Sequence, residues 1–257
     1  MASAPPAPPT IFSNDRRMAR RKRMLASAQR PDFLHRGMAD DVIERLAFLR
    51  HEPERSLVIG EPFVRLTNHL RDAGSFVAEY DLVGYFDHST LDLERPFPVG
   101  NFDLIAVFGL LDTVNDLPGA LIHLKNALAP GGLVIASFPG AGSLSKLRQV
   151  MLAADDERPA ARMHPLVDNR AAAGLLQRAG WSDPVVDSYT LTLRYRSLMA
   201  LVHDVRALGL GNALASKAPP LGKAALARAE AAFAELADDD GRLTETLEIL
   251  TLTGRKK

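Results

Sequence analysis

The alternation of apolar and polar residues predicts strands and helices that follow one another in turn. Short apolar runs rich in β-branched residues are typical of buried strands, and four such runs stand at 56–59, 75–78, 102–108 and 133–138. Between them lie segments in which apolar residues recur three or four positions apart, such as 117–128. Strand and helix in alternation favour a parallel sheet covered by helices.

The last hundred residues have a different pattern. It predicts, in order, a helix over 171–179, a half-exposed strand over 189–195, helices over 198–208 and 224–237, and a final strand over 243–253. Two late strands separated by helices predict an antiparallel edge on the parallel sheet. We therefore divide the chain into a flexible tail over 1–13, a basic helical arm over 14–50, and one α/β domain over 51–257 with a helical insertion around 197–237.

Composition narrows the class of protein. Lysine plus arginine and aspartate plus glutamate both number 31, so net charge gives no reason to expect nucleic acid as a partner. The chain has no cysteine, which excludes disulfides, thiolate zinc sites and cysteine nucleophiles. No apolar run predicts a transmembrane helix, and the Ala/Pro-rich start does not resemble a secretory signal. We expect a cytoplasmic protein, with a peripheral position at the inner membrane as the alternative.

Charge is nevertheless concentrated in one segment of the arm. Six of the eight residues from 16 to 23 are cationic, and these are Arg16, Arg17, Arg20, Arg21, Lys22 and Arg23. Such a run is typical of a contact with an acidic partner, an anionic surface or RNA, and equally of a solvated helix face. Of these, we consider a protein partner more plausible than RNA.

Candidate chemistry lies where the predicted strands end, because open α/β sheets bind ligands beyond the carboxyl ends of their strands. The corresponding segments are 60–64, the acids near Asp81, the region of Asp92, and 108–116. The seven histidines form no His-x-Asp/Glu pair and no His-x-x-x-His, so no local metal motif is predicted. No Gly-x-Ser-x-Gly elbow of a serine hydrolase occurs either.

Two segments resemble the class I S-adenosylmethionine-dependent methyltransferases. They are Asn-Phe-Asp-Leu-Ile at 101–105 and Leu-Ala-Pro-Gly-Gly-Leu-Val-Ile at 128–135. Asn-Asp-Leu-Pro at 115–118 and Arg-Ala-Leu-Gly at 206–209 are closer to one group, that of the mitochondrial complex I assembly factor and its alphaproteobacterial relatives. The resemblance implies a Rossmann-like α/β fold with a mostly parallel seven-stranded sheet and S-adenosylmethionine as cofactor. The assembly-factor group is described as hydroxylating an arginine, and a neighbouring group as methylating the malonyl carrier protein.

The resemblance also implies which residues would form the site. On the cofactor side these are Gly60, Glu61, Glu79, Asp81, Asp92 and Phe108, and on the substrate side Asp112, Asp116, Gly140 and Gly142. Two of the acids have a simpler interpretation. Asp116 precedes a predicted helix and is expected to cap it, and Asp92 is also compatible with an ordinary loop aspartate.

The loop after the first strand departs from the family pattern, which is an acid followed by Gly-x-Gly-x-Gly. In this chain Val58 stands in place of the acid, and Pro62 and Val64 in place of the second and third glycines. Proline has no N–H to offer a ligand, and valine adds a branched side chain. The loop is thus consistent with a weakened or absent S-adenosylmethionine site, or with a rebuilt one in which Glu61 replaces the acid. Gly60-Glu-Pro is also typical of the start of a helix, here the one that contains Leu66 and Leu70, because proline is favoured at the first helical position. Two functions stay open: a methyltransferase-like enzyme acting on a protein, within complex I assembly, and a degenerate fold without cofactor that serves as an assembly scaffold.

Overall fold

The computed structural model describes residues 10–28, 30–85 and 88–257. Its helices are α1 (Asn14–Ala26), α2 (Phe33–Leu49), α3 (Arg65–Asp72), α4 (Leu117–Ala127), α5 (Ser145–Asp155), α6 (Asn169–Arg178), α7 (Leu198–Ala207) and α8 (Lys223–Glu235). Its strands are β1 (Arg55–Ile59), β2 (Phe76–Asp81), β3 (Ser89–Thr90), β4 (Phe102–Phe108), β5 (Leu128–Pro139), β6 (Ser182–Tyr195) and β7 (Leu243–Arg255). The predicted tail over 1–13 lies mostly outside the described residues.

The seven strands form one sheet in the order β3-β2-β1-β4-β5-β7-β6. The pairs from β3 to β5 are parallel, and β7 runs antiparallel to both of its neighbours, β5 and β6. The predicted mostly parallel sheet of Rossmann-like type is therefore confirmed. The reversed strand lies one position in from the edge, because β6 pairs along its outer side.

Both faces of the sheet are buried. Neighbouring residues of a strand point to opposite faces, so Leu57 contacts one core and Val58 the other. Helices α4 and α6 cover the first face, whereas α2, α3, α5, α7 and α8 cover the second. This burial explains why the central strands read as continuous apolar runs.

The segment between β2 and β4 contains no helix among its described residues. The short β3 takes that place at the edge of the sheet, joined to β2 at Tyr80 and Asp81. The chain therefore reaches β4 with little cover over the carboxyl end of β2, and α1 lies there instead.

Candidate functional site

The site lies at the carboxyl ends of β1, β2 and β4, and α1 crosses it. Arg17, Arg20 and Arg21 are all buried, with 1%, 7% and 5% of their surface exposed. Their spacing of i, i+3 and i+4, continued by buried Met24 at i+7, places them on one face of the helix. Arginines therefore form the face of α1 that contacts the domain.

Arg21 forms the most complete of these contacts. Its Nη2 lies 2.6 Å from Oδ2 of Asp81, and its Nε donates to both carboxylate oxygens at 3.0 and 3.1 Å. The same Nη2 donates to the carbonyl oxygen of Gly60 at 2.8 Å. Side-chain exposure is 6% for the arginine and 1% for the aspartate. A fork-shaped pair of this kind is strong, and Asp81 has its charge fully compensated within the chain.

Gly60 is required by the close approach of β1 and β4. Its φ is +80°, and a Cβ at this position would lie 2.6 Å from the carbonyl oxygen of Phe108. Its N–H donates to the carbonyl of Tyr80 at 2.9 Å and is therefore not available to a ligand, and its carbonyl already accepts from Arg21.

Glu61 turns away from this point and caps α3. Its carboxylate accepts the backbone N–H of Leu66 at 2.6 Å and that of Thr67 at 3.0 Å. Burial raises the pKa of Glu61, and these N–H groups offset part of that increase. Val64 precedes the helix in the left-handed region, at φ 48°, which is a strained conformation for a β-branched residue. The loop is thus built as a helix start.

The other predicted cofactor-side residues are engaged elsewhere or face water. Glu79 pairs with Arg71 and with His88. Asp92 is exposed and accepts the N–H of Glu94 at 3.0 Å. Phe108 is fully buried in the core beneath α2.

Arg20 and Arg17 reach the far side of the site. Arg20 donates to Oγ1 of Thr113 at 3.1 Å and lies 3.4 Å from Oδ2 of Asp112. Arg17 lies 3.5 Å from Glu94, while its Nε and Nη2 have no hydrogen-bond partner among the described residues. Between these arginines and His35 the cavity that remains has a volume of about 10 Å³. That is the space of one water molecule.

A second and larger cavity adjoins Asp112 on the side of α5 and α7. Its volume is about 220 Å³. Asp112 and His164 lie in its wall, with Nε2 of His164 3.6 Å from Oδ2 of Asp112. Burial alone would raise the pKa of Asp112, but Arg20, His164 and Arg17 outweigh it and hold the pKa below its usual range.

The remaining substrate-side residues have structural contacts. Asp116 caps α4 by accepting the N–H of Gly119 at 2.9 Å, as one of its two sequence interpretations predicted. Gly140 and Gly142 both lie against Glu248, whose Oε2 would be 2.9 Å from a Cβ at either glycine. Of the four substrate-side residues, Asp112 is the one that lines the larger cavity.

The expected anionic contact through the basic run needs correction for half of its residues. Arg17, Arg20 and Arg21 point into the domain, because helical periodicity places them on the inward face. Arg16 donates to the carbonyl oxygen of Leu214 at 2.8 Å. Lys22 and Arg23 are the two cations of the run that are exposed.

Sequence reasoning missed the inward arginines, Glu94 as the partner of Arg17, and His164 as a neighbour of Asp112. A signal was present. The period of Arg17, Arg20, Arg21 and Met24 is that of a buried helix face, and acids stand after three predicted strands. Matching an arginine face to those acids would have predicted the pairing.

A family model described as "Methyltransferase domain" matches residues 33–183, which is more than half of the chain. The chain belongs to this methyltransferase family. A malonyl-[acyl-carrier protein] O-methyltransferase of Halorhodospira halophila is 32% identical over 93% of this chain and 87% of its own length. The mitochondrial arginine-hydroxylase NDUFAF5 of Danio rerio is 24% identical over 94% of this chain and 82% of its own. Among solved structures, a Bacillus halodurans protein described as a putative methyltransferase covers 84% of this chain and 99% of its own, with a TM-score of 0.56 and 11% identity. That likeness shows the fold.

The residues at the strand ends do not fit the cofactor that this methyltransferase family implies. Asp81, the acid at the end of β2, is held by Arg21, and Gly60 has both backbone groups engaged. Pro62 has no N–H, and the carboxylate of Glu61 is used by α3. A nucleoside needs hundreds of cubic ångströms, far more than the 10 Å³ that α1 leaves open.

Proposed function

We propose that the protein is a methyltransferase-fold binding module that works without S-adenosylmethionine and serves a protein partner in assembly, with respiratory complex I as the expected setting. The observation that carries the proposal is the contact of Arg21 with both Asp81 and the carbonyl of Gly60. The chain's own guanidinium thus takes the position at which the family resemblance expects the ribose of the cofactor.

The contact of Arg21 with Asp81 is energetically favoured over the binding of a cofactor to Asp81. The arginine–carboxylate pair joins two opposite charges, whereas the hydroxyls of a ribose would be neutral donors to the same carboxylate. Each hydrogen bond to a charged group that the loop no longer offers weakens a ligand by roughly 1.5–3 kcal/mol, or about 10- to 100-fold in affinity. Release of Arg21 would in addition leave Asp81 buried without a counter-charge.

The partner class is supported by the relatives and not by a described surface. One relative is named an arginine-hydroxylase and another a malonyl-[acyl-carrier protein] O-methyltransferase, so the second name specifies a protein-borne substrate and the first is compatible with one. Deletion of the gene in its host is expected to lower NADH:quinone oxidoreductase activity, and the wild-type gene to restore it. Unchanged activity after deletion would remove complex I as the setting.

Calorimetric titration with S-adenosylmethionine and S-adenosylhomocysteine tests the cofactor half of the proposal. We expect no binding heat at 100-fold ligand excess from protein whose circular dichroism shows it folded. The H. halophila methyltransferase, titrated in the same buffer, is the positive control. Micromolar binding to the wild-type chain would overturn the proposal.

One observation favours a second candidate, a protein methyltransferase in which a partner withdraws α1. Arg17 is buried with two donors unpartnered among the described residues, so the docking of α1 carries a cost of about 1–3 kcal/mol. For this candidate, Arg21→Met should gain S-adenosylmethionine binding, whereas Lys22→Met on the exposed face should not. The proposal above expects neither variant to bind.

A further inference from the structure

Strand β6 forms one edge of the sheet, and its outer side has no partner strand among the described residues. It is long for an edge strand, since it pairs with β7 without interruption from Val185 to Tyr195. An open edge presents a row of N–H and C=O groups with which another chain can pair, and proteins usually protect such edges. The outer side of β6 is therefore a candidate interaction surface.

The register of the sheet identifies the backbone groups on this outer side. Glu248 of β7 accepts the N–H of Gly140 at 2.8 Å, so its backbone groups point toward β5. The backbone groups of Thr190, which stands opposite Glu248, therefore point away from β7. The same holds for every second residue of the stretch, namely Val186, Ser188, Thr192 and Arg194. None of these backbone groups forms a hydrogen bond within the part of the chain that the structure describes.

Only the beginning of β6 is protected against pairing. Pro184 lacks an N–H, and the register shifts between Ser182 and Val185, so a neighbouring strand cannot continue there. The stretch 188–193, Ser-Tyr-Thr-Leu-Thr-Leu, has no proline, glycine or charge. Its serine and both threonines are exposed. An uncharged stretch of high strand propensity at an open edge is typical of a segment that pairs with another strand.

A second copy of this chain fits the edge when its β6 runs antiparallel and Leu191 lies on the two-fold axis. Thr190 then faces Thr192 of the second copy, and Tyr189 faces Leu193, so polar residues meet polar ones and apolar residues meet apolar ones. Neither of the two charged residues within 186–194 faces another charge in this register. Each copy closes the edge of the other, so the assembly stops at two chains.

Two exposed apolar side chains stand at the ends of the pairing stretch. Val185 at its start is 47% exposed, and Met199, in the first turn of α7 just past its end, is 55% exposed. Val185 faces the same side of the sheet as Asp187, which contacts Arg45 of α2, and α7 also packs on that side. An antiparallel copy brings the start of one β6 beside the end of the other, so Val185 of each copy lies near Met199 of the other.

We propose that two copies of the chain form a symmetric dimer by antiparallel pairing of β6 about Leu191, which joins their sheets into one. The interface uses neither α1 nor the carboxyl ends of the parallel strands. Its test is therefore independent of whether S-adenosylmethionine binds.

Sedimentation velocity of the full chain over a range of concentrations tests whether the dimer forms. The interface is short, so we expect a dissociation constant of about 10–100 µM. Thr190→Pro removes an N–H that the fold does not use, and it should weaken the dimer at least about tenfold with an unchanged circular dichroism spectrum. Thr190→Val keeps the N–H and is the matched control, which should dimerise like the wild type. A wild type that stays monomeric up to about 300 µM, or a folded Thr190→Pro that dimerises equally well, would overturn the proposal.

Cysteine cross-linking tests the two-fold position. The chain has no cysteine, so a single introduced thiol can form a disulfide only with a second copy. Leu191→Cys places two thiols opposite each other in a pair without backbone hydrogen bonds, in which the Cα atoms are about 4.5 Å apart and a disulfide fits. Leu193→Cys, on the same face of the same strand, is the control because it faces Tyr189 of the second copy. We expect Leu191→Cys to cross-link at least about tenfold faster under mild oxidation. Equal rates would overturn the proposed pairing, even if Thr190→Pro fails to fold.

Discussion

At the scale of single residues, the unusual feature is that arginines occupy positions where an amphipathic helix carries leucines. Burial of a guanidinium is costly unless its charge is paired and its donors are satisfied. Arg21 meets both conditions through Asp81 and Gly60, whereas Arg17 meets them in part. The inward face of α1 therefore depends on acids contributed by the domain.

The buried His35, whose pKa is lowered in part by Arg21 and Arg30, makes the free energy of unfolding depend on pH. Burial, with the charges of Arg21 and Arg30, lowers its pKa to about 3 from 6.5. The unfolded chain binds a proton below pH 6.5 while the folded chain does not. The contribution of His35 to stability is therefore fully present above pH 6.5 and is lost as the pH falls toward 3, by up to about 1.4 kcal/mol per pH unit.

Urea unfolding at pH values between 6.5 and 5 measures this slope in a range where few carboxylates titrate. We expect the free energy of unfolding of the wild type to decrease with acidification and that of His35→Gln to decrease less. His69→Gln, on the exposed face of α3, is the matched control and should keep the wild-type slope. Identical slopes in the wild type and His35→Gln would contradict the assignment.

The candidate site could be predicted only in part at this scale. Asp116 as a helix cap was predicted, because the signal is local: an aspartate directly before Leu117 and Pro118. A helix start after Gly60 was one interpretation of the sequence, but Glu61 as the cap of α3 was not predicted, because the family pattern favoured a cofactor role for it. The partners of Arg20 and Arg21 lie about 90 and 60 residues away, and no short-range pattern reports such pairs.

At the scale of elements, three of the five buried residues of α1 are arginines, so ion pairs form a large part of its contact with the domain. The Arg21–Asp81 pair is the one with the shortest contact, 2.6 Å, at nearly complete burial. Removal of one partner from a buried pair leaves an uncompensated charge, which costs about 3–5 kcal/mol. Removal of both partners costs much less.

A double-mutant cycle tests whether Arg21 and Asp81 stabilise the protein as a pair. Arg21→Met and Asp81→Leu are each expected to lower the free energy of unfolding by about 3–5 kcal/mol, and the double variant by clearly less than their sum. Chemical denaturation monitored by circular dichroism gives the four values. Additive losses would mean that the two side chains do not interact in solution.

Element prediction succeeded where the helix or strand signal is contained within the segment. The strands at β1, β4, β5 and β7 and the helices α4, α6, α7 and α8 were predicted close to their observed places. Helix α5 was missed. It begins after Leu144 without a side-chain cap of its own, and Glu245 of β7, about 100 residues away, accepts the N–H groups of Lys146 and Leu147. Its start is thus determined by the tertiary fold.

At the scale of the whole molecule, the inward arginines leave the surface less basic than the sequence suggests. Lys22 and Arg23 remain exposed within the run. Each such cation contributes about 1 kcal/mol to attraction toward an anionic membrane, so two of them supply about 2 kcal/mol, which is too little for stable attachment. Within residues 10–28, 30–85 and 88–257, no helix is long and apolar enough to span a bilayer.

We therefore expect the protein to stay in the supernatant when sedimented with phosphatidylserine-containing vesicles at physiological salt. Reversal of charge at both exposed positions, Lys22→Glu with Arg23→Glu, should leave the fraction of protein in the supernatant unchanged. Pelleting of the wild type with anionic vesicles and not with neutral ones would contradict this expectation.

The order of the strands has a consequence for how the chain is made. β7 is synthesised after the other six strands of this sheet, yet it lies between β5 and β6. It pairs with β6 along nearly its full length and with β5 through its second half, from Ile249 to Arg255. Until it emerges from the ribosome, two long strand edges stay open, and α5 lacks the glutamate that caps it. A nascent or prematurely terminated chain that lacks β7 therefore exposes strand edges that favour aggregation and proteolysis. The sheet is completed only after β7 has been translated.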